Sequence, residues 1–270
     1  MSPCEGAIHL QFEDTPLPIR AVVEHHSVTY DNDNEATATS GTSVTIGAFA
    51  VANNVNRCMI VGGCSYSGTV GNAVVASVSH NGSTAGWSQV IDTPDATNTT
   101  HLFLWRKVAV DVVSATVVVT FAGGCTELAA NALSAYDVHQ TTPMGTPVGI
   151  DGGTIASPGT ATSNVAAATD DLVYDIVYSY GGITSGVTVG AGQAQRANAV
   201  VITYAGARTV FGASTEPGAT TVTMSWTLTG DTEDVYWMQV SCAIKVAAAA
   251  VTYIPRSFML NQAVKRAALY

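Results

Sequence analysis

Residues 115–143 read ATVVVTFAGGCTELAANALSAYDVHQTTP, and this stretch decides the fold class. Residues 116–121 are β-branched and aromatic, which suits a pleated, half-buried strand. Gly123-Gly124 breaks the run, and residues 128–136 form a second strand of small apolar residues. A polar corner follows, Asp137-Val138-His139-Gln140-Thr141-Thr142, and Pro143 stops it. Here Asp137 and Thr141 are expected to bond nearby backbone N–H groups and turn the chain between sheets. Two strands cannot bury their apolar faces alone, so other strands must close over them.

Those strands are found on both sides. Residues 19–30, 58–66, 74–79, 87–91 and 101–110 carry β patterns before the stretch, and 172–180, 199–204, 220–228 and 236–246 after it. His80-Asn81-Gly82 is a hairpin signal joining 74–79 to 87–91. Gly62-Gly63 marks a bulge or a close backbone approach. In LVYDIVYSY (172–180), Asp175 is assigned to the polar face beside Val173 and Val177. Residues 146–168, rich in Gly, Thr, Ser and Ala, read as loops and weak strands rather than a linker. No helical period precedes residue 247, and no repeat of fixed period is visible. The expected fold is all-β: a single two-sheet antiparallel β-sandwich of jelly-roll type over residues 20–246.

Both ends differ from this body. Residues 1–19 read as an extended N-terminal arm in which Ile8, Leu10 and Phe12 alternate with polar residues, a pattern suited to adding a strand at a sheet edge. Residues 247–270 read as a C-terminal tail. Pro255 interrupts it, Ser257 can cap, and residues 258–270 form one short helix. Phe258, Leu260, Lys265 and Arg266 of this tail, with Ile8, Leu10 and Phe12, are the expected interface residues.

Hydrophobic residues make up 47 % of the chain and charged residues 11 %, against about a quarter in ordinary domains. Hydroxyl and small side chains replace Lys and Glu, as on sandwich surfaces and on subunits packed into assemblies. The net charge of −10 excludes nucleic acid as a partner of the body. After Lys245 the chain has three basic residues and no acid, so +3 sits on the tail and −13 on the rest. No run approaches a membrane span, and residues 1–20 lack the charged and apolar regions of a secretion signal. Five cysteines without framework spacing read as free thiols in a reducing cytoplasm, four of them placed in or beside strands as small buried residues. Cys58 and Cys64 share one sheet face, too far apart to bond.

Motifs for chemistry are weak. Asp31-Asn32-Asp33-Asn34-Glu35 alternates carboxylates and amides but lacks the glycine and distant glutamate of a calcium loop, so it reads as a solvated polar turn. Trp87, Trp105, Trp226 and Trp237 each lie in an alternating strand, where core packing is expected; a lectin-like sugar-binding face is the alternative. His25 and His26 point to opposite sides of a strand. No catalytic residue, cofactor or metal ligand is assigned.

From residues 116–121 through the corner at 137–145, the chain resembles β-sandwich modules of bacterial surface or secreted proteins and of phage structural proteins. Asp171-Leu172-Val173, residues 190–196 (GAGQAQR) and residues 217–226 (PGATTVTMSW) extend the resemblance in order. It implies a fold and no activity. A single module with two terminal extensions leads to the expectation of a non-enzymatic virion subunit, assembled in the host cytoplasm. It would decorate or cement a capsid or belong to a tail, with other virion subunits and its own copies as partners. The alternative is a fibre or adhesin module that binds a cell-surface glycan.

Overall fold

The computed structural model describes residues 21–23, 26–181, 183–204, 207–230, 234–249 and 251–253. The chain divides into two compact units, His26–Ala248 and a smaller one made from both ends, Met1–His25 with Ala249–Tyr270. In the smaller unit, β1 (Ala21–Val23) pairs antiparallel with β18 (Val251–Tyr253). The expected arm (1–19), tail helix (258–270) and interface residues lie outside the described residues.

Among the described residues the larger unit contains sixteen strands in two sets of eight. The first set is β2 (Thr29–Ala38), β3 (Gly41–Phe49), β4 (Cys58–Tyr66), β5 (Val75–His80), β6 (Trp87–Pro94), β7 (Thr100–Val108), β8 (Ala115–Cys125) and β9 (Glu127–Tyr136). The second set is β10 (Val148–Ile155), β11 (Gly159–Val165), β12 (Leu172–Tyr180), β13 (Ile183–Val189), β14 (Ala194–Tyr204), β15 (Ala207–Pro217), β16 (Val222–Gly230) and β17 (Val235–Ile244). Each set forms a five-stranded sheet, β2-β9-β4-β7-β6 or β10-β17-β12-β15-β14, and a three-stranded sheet, β3-β8-β5 or β11-β16-β13. Both sets follow one plan. The larger sheet runs first–eighth–third–sixth–fifth and the smaller second–seventh–fourth, with every pairing antiparallel.

The body is therefore all-β and antiparallel, as expected, but it has four sheets and not two. Residues 148–165, expected as loops and weak strands, are β10 and β11, the opening pair of the second sandwich. The corner at 137–143 joins two sandwiches rather than two sheets of one. His139 does the local bonding there: its Nδ1 accepts from the N–H groups of Thr142 (3.0 Å) and Thr141 (3.3 Å). Gln140 pins the connection to the first sandwich, accepting from Ala109 N and donating to Val138 O.

The two five-stranded sheets stack on each other. Even-numbered residues of β4 and β12 (Cys58, Ile60 and Cys64; Tyr174, Ile176 and Tyr178) enter one shared core with Leu102, Leu104, Leu133, Phe211, Met238 and Val240. Odd-numbered neighbours such as Met59 and Val61 face the first sandwich's own interior, and Val173 and Val177 face the second's. Strands β4, β9, β12 and β17 are consequently buried on both faces. This is the condition under which alternation disappears from a sequence. The outer three-stranded sheets keep it, as in β3, β8 and β11. Part of the low charge thus belongs to an interface inside the chain.

Across the stack β4 lies against β12, β7 against β17, β2 against β14 and β6 against β10. The strand order of one sheet is the reverse of the other, so the halves are related by an approximate two-fold axis running along β4 and β12. Complementary sizes meet at that axis. A Cβ on Gly62 would lie 2.6 Å from Ile176 Cγ1 and 2.7 Å from Leu104 Cδ2.

Polar groups at the interface are paired. The hydroxyl of Tyr174 donates to Asn131 Oδ1 (2.8 Å), whose Nδ2 donates to Asp33 Oδ2 and Asn34 O. Both Tyr174 and Asn131 are fully buried. Tyr174→Phe leaves the Asn131 carbonyl without its donor, and should cost about 1–3 kcal/mol in denaturant unfolding. An unchanged midpoint and slope would show that water replaces the phenol.

Candidate functional site

One cavity sits at the two-fold axis, where β4 and β12 end. Tyr66 and Tyr180 are the last residues of those strands, each preceded by serine and followed closely by glycine. Tyr66 pairs with Thr100 and Glu127, and Tyr180 with Thr209 and Tyr236, at corresponding places in the two sheets. Together Tyr66, Thr100, Glu127, Tyr178, Tyr180 and Tyr236, with Asp95 from the β6–β7 turn, enclose about 280 Å³. The two halves together place four tyrosines and two carboxylates around one opening.

The two acids are held differently. Glu127 is only 4 % exposed, and Thr209 Oγ1 donates to its Oε2 at 2.7 Å. Burial pushes its carboxyl above the usual value, against hydrogen bonds from Thr209 and Tyr178. Asp95 is also partly desolvated, but four donors outweigh that effect and hold its carboxyl below the usual range. These are the N–H groups of Thr99 (2.8 Å) and Thr100 (3.2 Å) and the hydroxyls of Thr97 (2.8 Å) and Thr99 (3.2 Å). Asp151 supports the wall from behind. Its Oδ1 accepts from the Tyr236 hydroxyl (2.7 Å) and its Oδ2 from Ala96 N (3.1 Å). Burial and the adjacent Asp151 raise the Tyr236 phenol, which stays protonated. Among the described residues, none of the lining side chains is cationic.

A second depression, at the opposite end, is lined by His139, Ala166, Ala167, Ala168, Asp171, Lys245 and Val246. Its acid is already used: Asp171 accepts from Ala168 N (2.8 Å) and Val246 N (2.9 Å). It closes the junction rather than offering a site.

The first sandwich holds the residue types of a hydrolytic triad on neighbouring strands. His101 Nδ1 lies 3.0 Å from both oxygens of Asp92, and Ser65 is the register partner of His101. Ser65 Oγ donates instead to Ala73 O (2.6 Å), and His101 Nε2 is buried without a partner. Neither Ser65 nor His101 is exposed, and neither lines either of the two cavities described.

The other sequence candidates take structural places. Residues 31–35 are in β2 and not in a turn. Asp31 accepts from Ser134 Oγ and Ala52 N, Asn32 donates to Ala50 O, and Asn34 donates to Gly47 O. Their alternation fits an edge strand whose side chains bond across to β3 and β9. Among the described residues no cluster of His, Cys, Asp and Glu could hold a metal ion. Trp226 and Trp237 are in the second sandwich's core, and Trp87 and Trp105 pack against the first core. Cys58, Cys64, Cys125 and Cys242 are free and buried, and burial pushes the Cys58 thiol up to about 12. The tyrosine cavity had one sequence signal, Ser-Tyr before glycine at 65–68 and again at 179–182, which becomes informative only once the halves are aligned.

Comparison with protein-family models, curated proteins and solved structures finds no match.

Proposed function

We propose that this chain is a non-enzymatic structural subunit of a phage virion, a capsid decoration or cement protein or a tail-associated part, attached through its terminal segments. One observation carries the reading. The folded body begins and ends at the same place, the end opposite the tyrosine cavity. There Val28 N donates to Asp170 O, Val138 bridges Val246, and Ala247 N donates to Asp137 O. A body whose first and last residues meet at one end is suited to being fixed there on a scaffold with the far end free.

The strand plan supports the jelly-roll assignment. A jelly roll orders its eight strands first–eighth–third–sixth in one sheet and second–seventh–fourth–fifth in the other. Each half here keeps that order with the fifth strand moved beside the sixth. Two fused rolls give a rigid block whose central strands expose no edge to aggregation. In this reading Ile8, Leu10 and Phe12 add a strand to a neighbour, and Phe258, Leu260, Lys265 and Arg266 bind an acidic neighbour such as another copy.

Deleting residues 251–270 should leave a folded, β-rich body that no longer joins the particle. Circular dichroism would report the fold, and subunit occupancy in purified particles would report attachment. Full occupancy of the truncated protein would rule out the clamp.

A further inference from the structure

We propose that the cavity between Tyr66, Tyr180 and Glu127 binds a small organic cation, an ammonium or guanidinium group on an aliphatic stem. This rests on the cavity alone and does not depend on the attachment reading above.

Three observations lead to a cation. First, the wall is aromatic and anionic. Tyr66, Tyr178, Tyr180 and Tyr236 supply rings, whose faces attract positive charge. Glu127 and Asp95 supply carboxylates, and no lining side chain among the described residues neutralises them. Second, the carboxylates are arranged for two roles. Asp95 has its oxygens occupied by four donors of its own turn, so it contributes fixed charge and little hydrogen bonding. Glu127 accepts from Thr209 on Oε2 and also from Tyr178, and an ionised carboxylate still has room for further donors. Its burial makes the ionised state costly, and a cation beside it would relieve that cost. Third, the size and access suit a head group. The volume of about 280 Å³ lies just under the range for drug-sized ligands. Tyr180, 41 % exposed, stands at the entrance. The net charge of −10 also concentrates cations around the molecule.

A neutral sugar would use the same rings but would gain nothing from uncompensated charge. The Tyr236 hydroxyl, an obvious sugar partner, is already committed to Asp151.

Titration calorimetry of the full chain at pH 7.5 should show saturable binding of choline or of N-acetyl-lysine methylamide. The tighter of these two distinguishes a free or lipid head group from a protein side chain. Binding of 3,3-dimethylbutan-1-ol, the uncharged isostere of choline, should be at least about tenfold weaker, equivalent to about 1.4 kcal/mol. Glu127→Gln and Tyr180→Ala should each weaken cation binding by at least about tenfold. Tyr180 is exposed, so its variant remains informative should Glu127→Gln fold poorly. No saturation by either cation, equal binding of the neutral isostere, or binding of glucose in place of the cations would each overturn the proposal.

Discussion

Gly63→Ala should destabilise the body by about 3 kcal/mol or more, although it adds a single methyl group. Gly63 lies in the middle of β4 between β7 and β9. A Cβ there would sit 2.2 Å from the carbonyl oxygen of Ala129, 2.7 Å from Phe103 Cζ and 3.0 Å from Ala130 Cα. Two of these three are backbone atoms of β9, which is itself paired on its other side with β2. The Phe103 ring fills the space over the glycine and is held edge-to-face by Phe121, centroids 5.9 Å apart. Nothing near the new methyl can move without disturbing a second contact. For a body of this size 1 kcal/mol corresponds to about 2–4 °C, so the midpoint should fall by about 6–12 °C. Gly124→Ala is the control. It lies at the exposed end of β8 with no heavy atom within 4 Å of the added Cβ, and should change stability by less than about 0.5 kcal/mol. Equal midpoints for the two variants would mean that β4 and β9 are not packed as described.

The same glycines show how far the sequence could be read. Gly62-Gly63 announced a close approach, and the structure has one on each face of β4, with the register unbroken and no bulge. Most strands could be placed because β-branched runs and turn residues mark them locally. The repeated strand plan could not. Its two copies share a strand plan and differ at facing positions, since each must complement the other: Gly62 opposes Ile176, and small Ala129 and Ala135 share a core with Tyr174 and Phe211. Facing positions that must complement each other carry different residues, so a search for repeats finds no shared pattern there. Burial on both faces also erased the period of two in β4, β9, β12 and β17. An excess of apolar residues that belongs to an internal interface then resembled a surface meant for partners. The tyrosine cavity was hidden for a related reason. Its residues come from β4, β7, β9, β12 and β17 and from the β6–β7 turn, and no short segment contains more than two of them.

Asp175 shows the asymmetry most sharply, and its titration should govern how stability changes with pH. It is the fourth residue of β12, where the first sandwich has Val61 in β4. The sequence placed it on a polar face beside Val173 and Val177. That face is the interior of the second sandwich, and Asp175 is fully buried. Three side chains donate to it: Ser214 Oγ to Oδ1, and Trp226 Nε1 (2.7 Å) and Gln239 Nε2 (2.8 Å) to Oδ2. These bonds tie β16 of the smaller sheet to β12, β15 and β17 of the larger one. Burial raises the carboxyl, the hydrogen bonds pull it back, and it ends at about 6 against an ordinary 3.8. The folded state therefore holds a proton that the unfolded chain has already released between those values. The stabilisation from this proton is complete below about pH 4, declines as pH rises, and is gone above about pH 6. About two pH units of difference correspond to about 3 kcal/mol. In Asp175→Asn the amide oxygen can accept from Trp226 and Gln239 while its NH₂ donates to Ser214, so the bonds survive without the charge. Relative to this variant, the wild-type protein should lose about 3 kcal/mol between pH 4 and pH 7, and the variant should be the more stable at neutral pH. Glu35, Glu216, Glu127 and Asp95 also titrate, but they are common to both proteins and cancel in the difference. Denaturant unfolding of both at several pH values measures it directly. A constant difference from pH 4 to pH 7 would mean that Asp175 keeps its charge throughout, stabilised by its three donors as fully as by water.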